Sequence, residues 1–199
     1  MRRYWNEIKT AWVQGNLWTR LSLLVMGSGY CACDRWGKGI LMTLMEVFFF
    51  FFTGRVSWQY IRKLNTLGTV QRKETLDLTT LQKTVNHYDN SLLILLFGVV
   101  GILIIAAFVA LYVSNFKTVF RMQQMKEKGE HINTLKEDCR ELINRKFHVS
   151  LLALPVLGVI LVNVIPIIFM ICVAFTNYDM DHQPPTYLFT WVGLKNFRQ

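Results

Sequence analysis

The sequence predicts an all-α, polytopic membrane protein with about three transmembrane helices and an N-terminal interfacial helix. Three observations carry this prediction. Of the 199 residues, 52% are hydrophobic and 18% charged, and the mean hydropathy of +0.28 is high for a soluble domain. Long stretches carry no charge at all. The 22 Lys and Arg outnumber the 13 Asp and Glu, and the basic excess gathers in the segments between those stretches. Such segments, about 20 to 40 residues each, are too short to build an independent core. A soluble enzyme is therefore excluded, and the basic pI of 9.6 points to a membrane surface rather than to nucleic acid.

The elements follow in order. Residues 1–37 form a cytoplasmic and interfacial segment, in which Trp5, Ile8 and Trp12 share one helical face among Arg2, Arg3, Lys9 and Arg20. That arrangement suits a helix lying on an anionic leaflet. Within the segment, Leu21 to Cys33 is apolar but only thirteen residues long, a length that lies in the interface or re-enters rather than crosses. Gly27, Gly29 and the run Asp34-Arg35-Trp36-Gly37-Lys38-Gly39 mark turns around it. A cleaved signal peptide does not fit, because twenty mixed residues precede this run and another span follows at once.

The first span is expected at 38–61, where GILMTLMEVFFFFFTG continues through Val56, Trp58, Tyr60 and Ile61 with Arg55 snorkelling. Residues 62–90 are polar and mixed in charge and read as an extracellular, solvated hairpin. The second span, 91–114, holds the twenty-two uncharged residues from Leu92 to Val113. A hydrocarbon core of about 30 Å needs about 20 helical residues, so this run suffices. Residues 115–148 form a cytoplasmic loop with an amphipathic helix. Thr134-Leu135-Lys136-Glu137 matches a capping box, and Leu135, Cys139, Leu142 and Ile143 follow at helical spacing, a stripe expected to pack beneath the membrane helices. The third span, 149–176, contains twenty-seven uncharged residues from Val149 to Phe175. Residues 177–199, with Pro184-Pro185, leave the membrane as an extended extracellular segment.

Polar residues inside the spans are few. Glu46 is the one charged residue within an apolar run, and on insertion scales such a group costs roughly 2.5–3.5 kcal/mol, so it needs a proton or a partner. One interhelical hydrogen bond would serve, and the same role is expected of Asn163; both read as structural. Pro155 and Pro166, eleven residues apart, are three helical turns apart and would kink the third span toward one side. Ala106 and Ala110 offer one small-residue step for helix contact.

No catalytic chemistry is legible. His87, His131, His148 and His182 are scattered without metal-ligand spacing, Cys31-Ala32-Cys33 has no zinc partners, and there is no phosphate-binding glycine loop. No enzyme activity, cofactor or metal is expected. Orientation comes from the basic residues: with a cytoplasmic N-terminus fourteen lie in inner segments and eight in outer ones, which favours that topology. All four cysteines then fall in inner or intramembrane positions, so no disulfide framework is implied.

The third span and its exit, LPVLGVILVNVIPIIFMICVAFTNYD followed by HQPP and LFTWVGLKNF, closely resemble the membrane-spanning permease subunits of ABC-type sugar importers, in the maltose, maltodextrin and related oligosaccharide branch. Upstream, WQYIRKLNTLGTV, DNSLLILLFGV and KFHVSLLALPVLG are similar to the Gram-positive version with extra N-terminal helices. The resemblance runs from about Leu21 to the end and implies a multi-pass plasma-membrane protein. It also implies partners: a second permease subunit, ATP-hydrolysing subunits and an extracellular sugar-binding protein, besides membrane lipid. The family's cytoplasmic EAA loop and later helices are not among these residues. The chain is thus expected to be the N-terminal part of a permease, as a truncated product or a fragment, and no sugar-binding residue carries over. Composition alone also permits the membrane anchor of a sensor, which a downstream kinase or cyclase domain would reveal.

Overall fold

The computed structural model describes Thr10 and residues 12–76 and 83–198. The surface helix expected near the N-terminus rests mainly on Arg2, Arg3, Trp5, Ile8 and Lys9, which lie outside the described residues; Trp12 and Trp18 are exposed. The described helices are α1 (Leu17–Leu21), α2 (Ser28–Ala32), α3 (Trp36–Phe52), α4 (Trp58–Lys63), α5 (Ser91–Glu127), α6 (Leu135–Ile143), α7 (Phe147–Val159) and α8 (Ile165–Val173). A π turn, Thr53–Ser57, joins α3 to α4, and a second, Ile160–Val164, joins α7 to α8. Among the described residues three helical stretches are therefore long and apolar enough to cross a bilayer: Trp36–Lys63, Ser91–Glu127 and Phe147–Val173.

The second stretch differs most from the sequence reading. Hydropathy ends it near residue 114, yet α5 runs on to Glu127, and its 37 residues amount to about 55 Å, well beyond the thickness of a hydrocarbon core. In the third stretch Pro155 sits within α7, whereas Pro166 follows the Ile160–Val164 π turn, where the N–H of Ile165 bonds back to the carbonyl of Ile160. The polar segment 62–90 contains a small antiparallel hairpin, β1 (Glu74–Leu76) and β2 (Lys83–Val85), with Thr75 opposite Thr84 and both strands exposed.

The chain packs as two units, Met1–Phe52 with Ile105–Pro155 and Thr53–Ile104 with Val156–Gln199. In the first, α1 and α2 fold back on α3 and on the later part of α5. Tyr30, Cys33, Val119, Met122 and Ile132 are buried together, and Phe49 stacks on Phe108 with ring centroids 3.6 Å apart. The α2–α3 approach is backbone to backbone: a Cβ on Gly27 would lie 2.1 Å from the Gly39 carbonyl oxygen, so only glycine fits. In the second unit Leu67, Ile94, Leu95, Val99 and Phe189 form the buried core. Here Gly98 and Gly101 bring α5 against Leu64 and Ser57. The sequence instead singled out Ala106 and Ala110, which are exposed.

The capping box closes as the sequence pattern requires. Thr134 Oγ1 accepts the Glu137 N–H at 3.3 Å, and Glu137 accepts the Thr134 N–H at 2.6 Å, a bond that holds the Glu137 carboxyl below its ordinary value. The apolar stripe of α6, however, is not packed away. Leu135 approaches Gly37, but Cys139, Leu142 and Ile143 are exposed. The reason lies on the polar side, where the Lys38–Asp138 ion pair ties α6 to α3 by its charged edge.

Candidate functional site

The chemistry-bearing residues gather in one polar cluster in each unit. In the first unit the cluster solves a backbone problem. Between α1 and α2 the chain leaves helical geometry at residues 22–27, in an apolar stretch where free N–H and C=O groups need partners from protein. Glu46 supplies one, its Oε2 accepting the buried N–H of Met26 at 2.8 Å. Asn115 Nδ2 donates to the Met26 carbonyl at 3.2 Å, and the Tyr112 hydroxyl donates to the Leu23 carbonyl. Two turns further along α5, Gln123 Oε1 accepts from Thr19 Oγ1 at 2.5 Å and from the Asn16 N–H at 2.9 Å. At the far end of α2, Lys126 donates to the Ala32 carbonyl at 2.6 Å and pairs with Asp34 at 3.0 Å, while Arg35 donates to the Ile132 carbonyl.

Tyr112, Asn115, Val119, Gln123 and Lys126 recur at helical spacing along one face of α5. That face continues where hydropathy stops. The partner of Glu46 was not legible, because it is a main-chain N–H twenty positions away rather than a side chain on another span. The Asn115 face is marked in the sequence by a polar and apolar periodicity that continues through residues 115–127, past the point where hydropathy falls. Asn115 is 5% exposed, and its Oδ1 has no partner among the described residues.

The second cluster centres on Asp89, also buried. It accepts from Lys63 Nζ at 2.6 Å and from the N–H groups of Thr69 and Val70 at 3.0 and 3.2 Å. Burial pushes the Asp89 carboxyl up, but the Lys63 bond and the two backbone N–H bonds outweigh it and hold the group below its ordinary value. Asp89 thus clamps the end of α4, whose chain turns through left-handed Leu67 and Gly68, to the start of α5. Asn90 caps α5, its Oδ1 accepting the N–H groups of Leu92 and Leu93. A cleft of about 300 Å³ opens beside the clamp, lined by Tyr60, Lys63, His87, Tyr88 and Asn90.

Against the same core lies the segment after α8. FTNYD and LFTWVGLKNF, separated in sequence, pair with each other. Thr176 bridges Trp191, Asn177 Oδ1 accepts the Thr190 N–H at 2.6 Å, and the N–H groups of Val192 and Gly193 donate to the Phe175 carbonyl at 2.9 and 3.0 Å. Asn196 closes the other end by donating to the Ala174 and Thr176 carbonyls. Phe189 is fully buried, its N–H donating to Ser91 Oγ, and Trp191 Nε1 donates to the Leu64 carbonyl at 2.8 Å.

Neither cluster pairs a nucleophile with a base, and among the described residues no three His, Cys, Asp or Glu are grouped to hold a metal. Asn163 is exposed within the Ile160–Val164 π turn, Pro166 lies just after it, and Pro155 is exposed in α7. These three join neither cluster.

No protein-family model matches the chain, and no solved structure matches it. Curated relatives do. The chain is 25% identical over 174 residues to the galactooligosaccharides transport system permease protein GanP of Bacillus subtilis (strain 168), covering 87% of this chain and 38% of that protein. It is 29% identical over 175 residues to the maltodextrin transport system permease protein MdxF of the same organism, covering 87% and 37%. Over 110 residues it is 32% identical to the maltodextrin transport system permease protein MalC of Streptococcus pneumoniae serotype 4, covering 55% and 25%. The chain spans less than two fifths of the length of these relatives. Over part of their length the chain is thus similar to the permease proteins of galactooligosaccharide and maltodextrin transport systems.

Proposed function

We propose that these residues are the N-terminal part of the permease subunit of an ABC-type oligosaccharide importer, which carries maltodextrins or a related oligosaccharide across the plasma membrane. The observation that carries the reading is the match to GanP and MdxF along 87% of the chain, together with three membrane-length helices. The relatives bear on transport and not on a sensor anchor. The partners follow from the same reading: a second permease subunit, ATP-hydrolysing subunits and an extracellular sugar-binding protein. In this reading the chain supplies scaffold, since neither polar cluster offers catalytic chemistry.

The topology we propose puts residues 1–37 and 115–148 inside and 62–90 and 177–199 outside. Its support is twofold. Asn16, Thr19, Ala32, Asp34, Arg35 and Lys38 bond to the 115–148 segment, and Leu64 bonds to Trp191, so segments assigned to one side have partners from that side. The fourteen-to-eight split of basic residues then chooses which side is cytoplasmic. Single cysteines at Glu74 and Thr134, in a background without the native four, test this with a membrane-impermeant maleimide on intact cells. Labelling at Glu74 alone is expected, and labelling at Thr134 alone reverses the topology.

The function itself is tested by deleting the codons for residues 17–198 in frame from the gene that encodes them and measuring uptake of radiolabelled maltodextrins and galactooligosaccharides. Loss of uptake of one of these classes is expected. Undiminished uptake of both would overturn the proposal.

A further inference from the structure

Helix α6 leaves an apolar stripe uncovered. Leu135, Cys139, Leu142 and Ile143 share one face of it and all are exposed, Ile143 at 67%. The helix is held between the entries of two membrane-length stretches, all within the first unit. Asp138 is ion-paired to Lys38 in the first turn of α3, and only three residues separate Ile143 from Phe147, where α7 begins. These two anchors keep α6 at the depth where α3 and α7 meet water. Exposed Trp36 stands at the α3 entry, where a tryptophan bridges water and hydrocarbon. The charges around the stripe are sorted. Lys136 and Arg140 run along one flank, Arg145 follows in the turn before α7, and none of the three has an ion-pair partner among the described residues. The acidic residues of α6 are already engaged: Asp138 with Lys38, Glu141 with Lys146 at 3.1 Å, and Glu137 with the Thr134 N–H in the cap. What α6 turns outward is therefore an apolar stripe edged by unpaired cations.

We propose that α6 lies in the membrane interface and binds anionic phospholipid, its stripe seated among the first carbons of the acyl chains and Lys136, Arg140 and Arg145 on the headgroup phosphates. The stripe alone would suit any apolar partner; the uncompensated basic edge, held at headgroup depth by the two anchors, selects an anionic bilayer surface. Each basic residue near such a surface raises the lipid-bound population about fivefold. The inference rests on α3 and α7 entering a bilayer and is independent of the cargo.

The test uses the full chain with Cys139 as its one cysteine, labelled with an environment-sensitive fluorophore, in vesicles of phosphatidylcholine alone or mixed with phosphatidylglycerol. Spin-labelled lipid with the quencher near the carbonyl reports contact with the bilayer, and acrylamide on both sides reports contact with water. In the mixed vesicles the lipid quencher should reach the fluorophore and acrylamide should not, and phosphatidylcholine alone should shift the balance toward water. Replacing all three of Lys136, Arg140 and Arg145 by Gln should lower the ratio of lipid-bound to free helix roughly a hundredfold in the mixed vesicles. Arg140→Lys with Arg145→Lys should retain it. An SDS unfolding midpoint equal to the parent's, followed by tryptophan fluorescence, checks folding of each variant. Acrylamide access without lipid quenching in the mixed vesicles would overturn the proposal. So would shielding from both quenchers, which would mean that protein covers the stripe, and so would lipid contact indifferent to phosphatidylglycerol or to the three Gln substitutions.

Discussion

Replacing Glu46 by leucine should open the break between α1 and α2. The carboxylate accepts the N–H of Met26, a residue with no exposed surface, and Glu46 is itself 5% exposed, so water cannot replace the lost acceptor. An unpaired buried donor costs about 1–3 kcal/mol. Leucine preserves most of the side-chain volume, so little cavity cost adds to that figure. Glutamine keeps an acceptor oxygen of similar reach and should cost no more than about 1 kcal/mol. The assay titrates the full chain from mild detergent into SDS and follows unfolding by tryptophan fluorescence. Maleimide labelling of Cys33, the other three cysteines having been replaced, reports local opening. Cys33 is buried, and burial also raises its thiol pKa, so the closed state reacts slowly. A loss of 2 kcal/mol would raise the open population, and with it the labelling rate, about thirtyfold. If Glu46→Leu unfolds within about 0.5 kcal/mol of the parent and leaves Cys33 protected, the carboxylate is not what holds the break. If glutamine is as damaging as leucine, an acceptor oxygen at this position is not enough to hold the break and the structural role fails.

Gly27→Ala should be as harmful by a different route. Its methyl would lie 2.1 Å from the Gly39 carbonyl oxygen, a rigid backbone atom, so α2 must move away from α3 at about 1–3 kcal/mol, read in the same SDS titration. Asp89 predicts a pH dependence. Its carboxyl is held below the ordinary value in the folded chain, so its contribution is complete above about pH 4 and is lost as the pH falls through the lowered folded value. Hydrogen exchange at the Thr69 and Val70 amides should accelerate over that acidic window relative to neighbouring loop amides. In Asp89→Asn those amides should be less protected at neutral pH, with no acid step; an unchanged acid step would assign it to another group.

Much of this fold was legible because hydrophobic length reports directly on helices that cross a bilayer. The Thr134 capping box was equally readable, since its two partners are three residues apart. The continuation of α5 was not, because Asn115, Lys117, Arg121 and Gln123 end the hydropathy signal while the helical periodicity of Phe116, Val119 and Met122 carries on. Glu46 was visible as an anomaly, but its partner is a main-chain N–H in a short non-helical break, and no spacing rule points there. The FTNYD and WVGLKNF elements were recognisable by resemblance, while their pairing across the Pro184-Pro185 turn required the fold.

That pairing makes the intervening stretch an expansion joint. Ala174–Asn177 and Thr190–Asn196 are latched to each other at both ends, so the chain between Asp179 and Tyr187 can change length without altering how its two roots are held. Doubling such a flexible loop costs only about 0.6 kcal/mol in closure entropy. A folded module or an epitope spliced in near the exposed Met180 would ride on the clasp rather than strain it, so this is where the chain can gain an appendage without re-engineering the spans beneath.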